Sequence, residues 1–220
     1  MKLLAVSDAV VKTLYQPSVA EKYGHVDCLI GCGDLPYYYL EFLHSALLSS
    51  QLLYVRGNHD EGVQYTSDGR ALKEPAGGCD LHCRLEQVAD HSFAGLEGSM
   101  RYKTGAPLMY TEVEMRRQVL KLAPQLALHQ LRNNKPIDFL ITHSPPFEIH
   151  DMTDRAHTGF RIFRTLIERF KPRFLLHGHV HDHRSNRPKI TRYCETLVIN
   201  VYPYFYLDTA DPPEPDVILN

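Results

Sequence analysis

Five short apolar runs in this chain each stop on an aspartate, an asparagine or a histidine. Residues 3–6 run into Ser7-Asp8, residues 28–30 into Gly31-Cys32-Gly33-Asp34, and residues 52–55 into Arg56-Gly57-Asn58-His59-Asp60. Residues 139–141 run into Thr142-His143, and residues 174–176 into His177-Gly178-His179-Val180-His181. Short apolar runs bounded by glycine read as buried strands. In an open α/β sheet, ligands sit beyond the carboxyl ends of the strands, where loops converge. Five strand ends that each deliver Asp, Asn or His therefore predict one site assembled from distant parts of the chain.

The segments between these runs carry other patterns. Phe160, Phe163, Leu166, Ile167 and Phe170 repeat at helical spacing as a core-facing stripe, with Pro172 as a stop. A second helical stretch starts near Glu112 and is expected to break at Pro124. Residues 189–207, rich in β-branched and aromatic side chains, read as a meander of strands. Residues 61–110 are richer in glycine and read as strands plus a surface loop over the site. No repeat or linker divides the 220 residues, so a single domain over 1–220 is expected.

Composition narrows the function classes. The formal charge of −2 lacks the basic excess of a protein that grips long nucleic acid by its backbone. No apolar run approaches the ~20 residues of a membrane span, and Met1 leads straight into a strand-like run rather than a signal peptide. Five cysteines without such a leader are expected to be free thiols in a reducing, cytoplasmic setting. Cys79, His82 and Cys83 form at most one zinc knuckle with no second, so ordinary cysteines are the preferred reading. The thirteen histidines matter more, because imidazole is the commonest metal ligand.

Carboxylate, amide and imidazole donors together suit divalent ions such as manganese, iron or zinc. The order Asp8, Gly33-Asp34, Gly57-Asn58-His59-Asp60, His143, Gly178-His179-Val180-His181 resembles the calcineurin-like metallophosphoesterase superfamily. The match spans nearly the whole chain. The resemblance implies a four-layer α-β-β-α sandwich with two mixed sheets and a centre of two divalent ions. By the same resemblance, Asp34 bridges both ions, Asp8 and His181 hold the first, and Asn58, His143 and His179 hold the second. His59 corresponds to the catalytic histidine that protonates the leaving oxygen, and a metal-activated water is the nucleophile.

One position departs from the pattern. Val10 stands where the family's Asp-x-His motif has its histidine, leaving the first ion with fewer protein ligands. His183 and Glu41 are the substitutes in principle. The expected substrate is a small phosphodiester, with a phosphomonoester open, no membrane, no long nucleic acid and a homodimer as the assembly the fold suggests. The alternative is a catalytically retired member acting as a protein-interaction module. Candidate substrate contacts are Arg101, His150 and His157, with Tyr102, Tyr110 and the Tyr37-Tyr38-Tyr39 run as further polar or aromatic surfaces. For the tyrosine run, packing under the loop is the preferred reading.

Overall fold

The computed structural model describes residues 1–49, 51–66, 68–181 and 188–219. The first third holds β1 (Lys2–Val6), α1 (Val19–Tyr23), β2 (Cys28–Gly31), α2 (Tyr37–Leu47) and β3 (Gln51–Tyr54). Next come β4 (Gln64–Tyr65), β5 (Ala71–Leu72), β6 (Gly78–Asp80), β7 (Leu85–Val88), β8 (His91–Leu96), β9 (Ser99–Met100) and β10 (Met109–Tyr110). The remainder holds α3 (Glu112–Asn133), β11 (Phe139–Thr142), α4 (Arg161–Phe170) and β12 (Phe174–His177). It ends with β13 (Ile190–Tyr193), β14 (Thr196–Asn200), β15 (Tyr204–Asp208) and β16 (Val217–Leu219). All five apolar runs are strands.

Two sheets dominate, in the orders β15-β1-β2-β3-β6 and β16-β13-β14-β12-β11-β8-β7. Strands β1, β2, β3 and β6 are parallel neighbours, as are β14, β12, β11 and β8. Antiparallel β15, β7 and β13 make both sheets mixed. Parallel strands end at one edge of their sheet, so each row of strand-terminating polar residues gathers there.

Alternation along the strands builds the layers, because successive side chains point to opposite faces. Leu3, Ala5, Ile30 and Leu53 meet Phe93, Phe139, Ile141, Phe174 and Leu176 in a core between the sheets. The offset residues Leu4, Val6, Leu29 and Leu52 pack outward with residues of α1 and α2. On the far side Ala94, Leu140, Leu175 and Val198 pack with residues of α3 and α4. The result is the α-β-β-α sandwich. At its centre Phe93, Phe139 and Phe174 stand in register on β8, β11 and β12, with ring centroids 4.6 and 5.1 Å apart.

Two expectations need correction. Helix α3 does not break at Pro124 but runs through it to Asn133. Pro124 lies on the exposed face, where the carbonyl that loses its N–H partner is open to solvent, while buried Met115, Val119, Leu122, Leu126 and His129 anchor the helix on the core. The tail is not one meander: β13 and β14 form a hairpin in the second sheet, and β15 crosses to pair with β1 of the first. The segment 61–110 holds the expected strands, of which β6 extends the first sheet and β8 lies inside the second. Strand β8 carries Gly95 because a Cβ there would meet Leu81 Cβ at 2.6 Å.

The Phe139 side chain is fully buried between two stacked rings. Phe139→Ala is expected to destabilise the protein by about 3–5 kcal/mol through lost burial and a residual cavity, read from the urea midpoint at unchanged slope.

Candidate metal centre

The loops leaving β1, β2, β3, β11 and β12 meet where the two sheets present their carboxyl edges. Asp8, Asp34 and His179 each adopt left-handed backbone, with φ of 63°, 56° and 65°. Such conformations cost a non-glycine residue about 1–3 kcal/mol and persist where the surroundings over-determine them. Here backbone bonds do so: Asp8 N–H donates to Gly33 C=O at 3.1 Å, and Gly178 N–H to His143 C=O at 3.0 Å. The motif glycines make room for the donors. A Cβ on Gly178 would meet Ser7 Oγ at 1.7 Å, and one on Gly57 would meet Asp34 Oδ1 at 2.1 Å.

Asp8, Asp34, His143 and His179 each offer a ligand atom, all within 4.8 Å of one another, the one such group among the described residues. Both buried imidazoles have their tautomers set from behind. His143 Nδ1–H donates to Cys32 C=O at 2.8 Å, turning Nε2 inward to 3.1 Å from Asn58 Oδ1 and 3.4 Å from Asp34 Oδ2. His179 Nε2–H donates to Ala156 C=O at 2.7 Å, which leaves its Nδ1 lone pair as the ligand. The Asn58 amide nitrogen donates to Tyr102 Oη at 3.4 Å, so its carbonyl oxygen faces the site.

Asp8 carries the clearest sign of a cation site. Its Oδ2 accepts from the His179 N–H at 2.9 Å and from the Ser7 hydroxyl. Its Oδ1 is buried with no hydrogen bond aimed at it, although His181 Nε2 lies 2.9 Å away. A buried carboxylate paired with His181 and grouped with Asp34, His143 and His179 is a donor set of the hard-oxygen and imidazole kind that suits a divalent cation. The donor set thus fits divalent metal.

Burial opposes charge on His143, but Asp34 and Asp8 outweigh it and push its pKa up to about 9. Burial would raise Asp34, yet the His143 charge and hydrogen bond, with the His59 N–H, hold it down at about 2. Asp34 and Asp8 thus favour positive charge at His143. Burial and the charge of His143 keep His179 neutral.

A profile of the calcineurin-like phosphoesterases matches residues 11–183. This chain belongs to that family. As a calcineurin-like phosphoesterase it is a metallophosphoesterase, a hydrolase acting on phosphate esters. It is 27% identical over 222 residues to the uncharacterized protein MJ1162 of Methanocaldococcus jannaschii, covering 95% of this chain and 92% of that one. Its fold resembles TT1561 of Thermus thermophilus, with a TM-score of 0.59, 15% identity and coverage of 91% and 88%. It also resembles the phosphopantetheinyl hydrolase of Mycobacterium tuberculosis, with a TM-score of 0.53, 15% identity and coverage of 97% and 98%. Among the described residues no helix is long and apolar enough to cross a membrane.

The other expected site residues of this phosphoesterase lie as follows. His59 is exposed, its N–H donating to Asp34 Oδ1 at 2.7 Å, and it lines a cavity of about 400 Å³ together with Asp34 and Asp60. His157 sits at the rim, its ring centroid 5.1 Å from that of His179 and its Nδ1–H donating to Asp154 at 2.8 Å. His150 is turned away, donating from Nδ1 to His177 Nε2 at 2.9 Å and accepting from Thr191 at 2.8 Å. Burial pushes His150 down to about 4, so this pair is a neutral packing element behind the site. Arg101 spends its guanidinium on Met109 C=O and on Glu114, the capping-box glutamate of α3. Glu41 accepts from the Ala76 N–H and stands outside the cluster, and His183 lies outside the described residues. Val10 packs against the α2 side core. Tyr37 and Tyr39 are buried, while Tyr38 is exposed.

Two contributors escaped the sequence reading. Asp60 accepts backbone N–H groups from Asp34, Leu35 and Gly57 at 2.9, 3.0 and 2.7 Å, clamping the β2 and β3 loops together. Its place at the end of the Gly-Asn-His-Asp motif was the available signal. Tyr202 stacks on His181 at 4.4 Å and 13°, and no local pattern announces that contact.

Gly178→Ala is expected to abolish tight manganese binding in calorimetric titration, whereas Gly62→Ala, whose Cβ meets nothing within 4 Å, leaves it intact. A proton on His143, favoured by Asp34 and Asp8, competes with any cation held there, so divalent-metal affinity is expected to rise as pH rises. The same titration in buffers of different ionisation enthalpy should register net proton release on binding.

Proposed function

We propose that this phosphoesterase hydrolyses a small phosphodiester at a centre of two divalent ions, with manganese, iron or zinc as the metals. The observation that supports it most is that Asp8, Asp34, His143 and His179 bring ligand atoms within 4.8 Å of one another, with Asn58 Oδ1 3.1 Å from His143 Nε2. Asp8, Asp34 and His181 would hold the first ion, and Asp34, Asn58, His143 and His179 would hold the second. Bound cations supply Lewis-acid charge at the phosphoryl oxygens and make hydroxide available near neutral pH. The chain acts as one domain in the cytoplasm, without long nucleic acid as a partner.

His59 supports the hydrolytic reading of the chemistry. Its loop is pinned by the bond to Asp34 Oδ1, and its exposed side chain borders the cavity at the site. As the nucleophile's oxygen bonds phosphorus and the ester P–O bond opens, His59 gives its proton to the departing oxygen. Cys32 and Ala156 carbonyls keep the ligand imidazoles oriented throughout, so no ring must reorganise during turnover. The interaction-module alternative draws on Val10 alone, and the retained His59 weighs against it.

Metal-stripped protein restored with manganese is expected to hydrolyse bis(4-nitrophenyl) phosphate faster than 4-nitrophenyl phosphate, and Asp34→Ala to lose both activities. His59→Ala should slow an alkyl ester by about 100-fold or more and the nitrophenyl ester far less, because nitrophenolate leaves without help. Folded, metal-loaded protein that turns over neither ester would overturn the reading in favour of the interaction module.

A further inference from the structure

Three tyrosines lie open to solvent on one side of the metal centre. Tyr15, Tyr38 and Tyr65 are 43%, 51% and 73% exposed, and they come from the loop after β1, the first turn of α2, and β4. Scattered exposed aromatics are ordinary, but rings from three segments on one surface mark a binding face. Tyr38, Gln64 and Tyr65 line two adjoining cavities of about 400 and 460 Å³. The first opens on Asp34 and His59, and the second continues past Tyr15 to Arg70. A groove therefore leads from the proton donor of the proposed reaction along an aromatic wall.

The wall is held in place by packing. Tyr15 stands edge-on to Tyr38 at 5.7 Å, to Tyr39 at 5.8 Å and to Phe42 at 4.6 Å, which fixes the loop ring against α2. Gln64 Oε1 accepts the Tyr37 N–H at 2.7 Å, so the amide lining both cavities offers its NH2 group as donor. Glu61 lines the first cavity and the Asp68–Arg70 pair the second, adding acceptors and a cation beside the rings. Flat aromatic faces interleaved with hydrogen-bonding edges match a planar heteroaromatic ring. A flexible saturated arm gains little from such a wall.

We infer that this groove receives the leaving group of the ester, and that this group is a nucleoside whose base stacks on Tyr38 and Tyr65. The inference rests on the phosphoesterase reading with His59 as proton donor. Water adds its oxygen to phosphorus, the P–O bond to the nucleoside opens, and the nucleoside leaves with the His59 proton on its hydroxyl. The wall binds base rather than phosphate, so it sets which ester is held and not how fast the bond breaks.

The test is calorimetric titration of adenosine into the full chain with manganese present, with pantetheine as the flexible comparison. Saturable adenosine binding should weaken about tenfold or more in Tyr38→Ala and in Tyr65→Ala, and return in Tyr65→Phe, while pantetheine gives no signal. Both positions are exposed, and thermal unfolding midpoints matching the parent protein verify that the variants fold. Adenosine that fails to bind, or binds all variants equally, overturns the inference, as does pantetheine binding that depends on the same tyrosines. Turnover of bis(4-nitrophenyl) phosphate by the same samples separates the two claims. With turnover intact, a negative titration removes the groove alone; without any turnover, the phosphoesterase reading falls and the nucleoside leaving group with it.

Discussion

The imidazole of His143 joins the two halves of this protein. It leaves β11 of the second sheet, and its Nδ1–H donates at 2.8 Å to the carbonyl of Cys32, which follows β2 of the first. The ring is fully buried, so neither partner has water as an alternative. That bond fixes how the carboxyl edges of the sheets stand to each other, and it fixes which nitrogen faces the site. Gly33 is required beneath it, since a Cβ there would lie 2.5 Å from His143 Nδ1. The carbonyl of His143 then accepts the Gly178 N–H, drawing the β12 loop and His179 to the same point. Asp60 completes the arrangement from the first sheet by holding the loops of β2 and β3 against each other with one carboxylate.

These bonds hold a backbone that would otherwise relax. Asp8, Asp34 and His179 all sit in left-handed conformation, at a combined cost of several kcal/mol. Each strained residue is caught by a neighbour's polar group: Asp34 N–H by Asp60, His179 N–H by Asp8, Asp8 N–H by Gly33. The strained turns direct side chains of consecutive strands inward, where ordinary extended exits would send them apart. The apolar core between the sheets, with its Phe93-Phe139-Phe174 stack, supplies the rigidity that this strain needs. Donors set before a cation arrives give up little entropy when it binds.

Much of this was legible in the sequence because the central strands are uniformly apolar and end abruptly. The family pattern could be read for the same reason, each donor standing at the end of such a run. What was not legible depended on partners far along the chain. β8 contains serine, alanine and glycine, and it is a core strand only because Leu81 presses on Gly95. Pro124 looks like a helix stop until its position on the wet face of α3 is known. Arg101 is an attractive phosphate ligand by residue type, but capping α3 through Glu114 uses its charge elsewhere. His150 looks equally available until His177 is found against it.

The tail makes the same point and bears on the centre itself. Residues 189–207 have the composition of a meander, and composition cannot say which sheet each strand joins. β14 lies beside β12 while β15 pairs with β1, so the chain changes sheets between Asn200 and Tyr204. That crossing runs over the site: Pro203 C=O accepts the Ser7 N–H at 3.1 Å, and Tyr202 lays its ring on His181. The proposed centre is consequently asymmetric. Asn58, His143 and His179 are buried, and the two imidazoles have fixed tautomers, whereas His181 is exposed and held by a stacked ring and by Asp8. Val10 adds no donor on that side and packs into the α2 core instead. The imidazole nearest solvent is thus oriented by a stacked ring and an ion pair, where the two buried ones are oriented by backbone carbonyls.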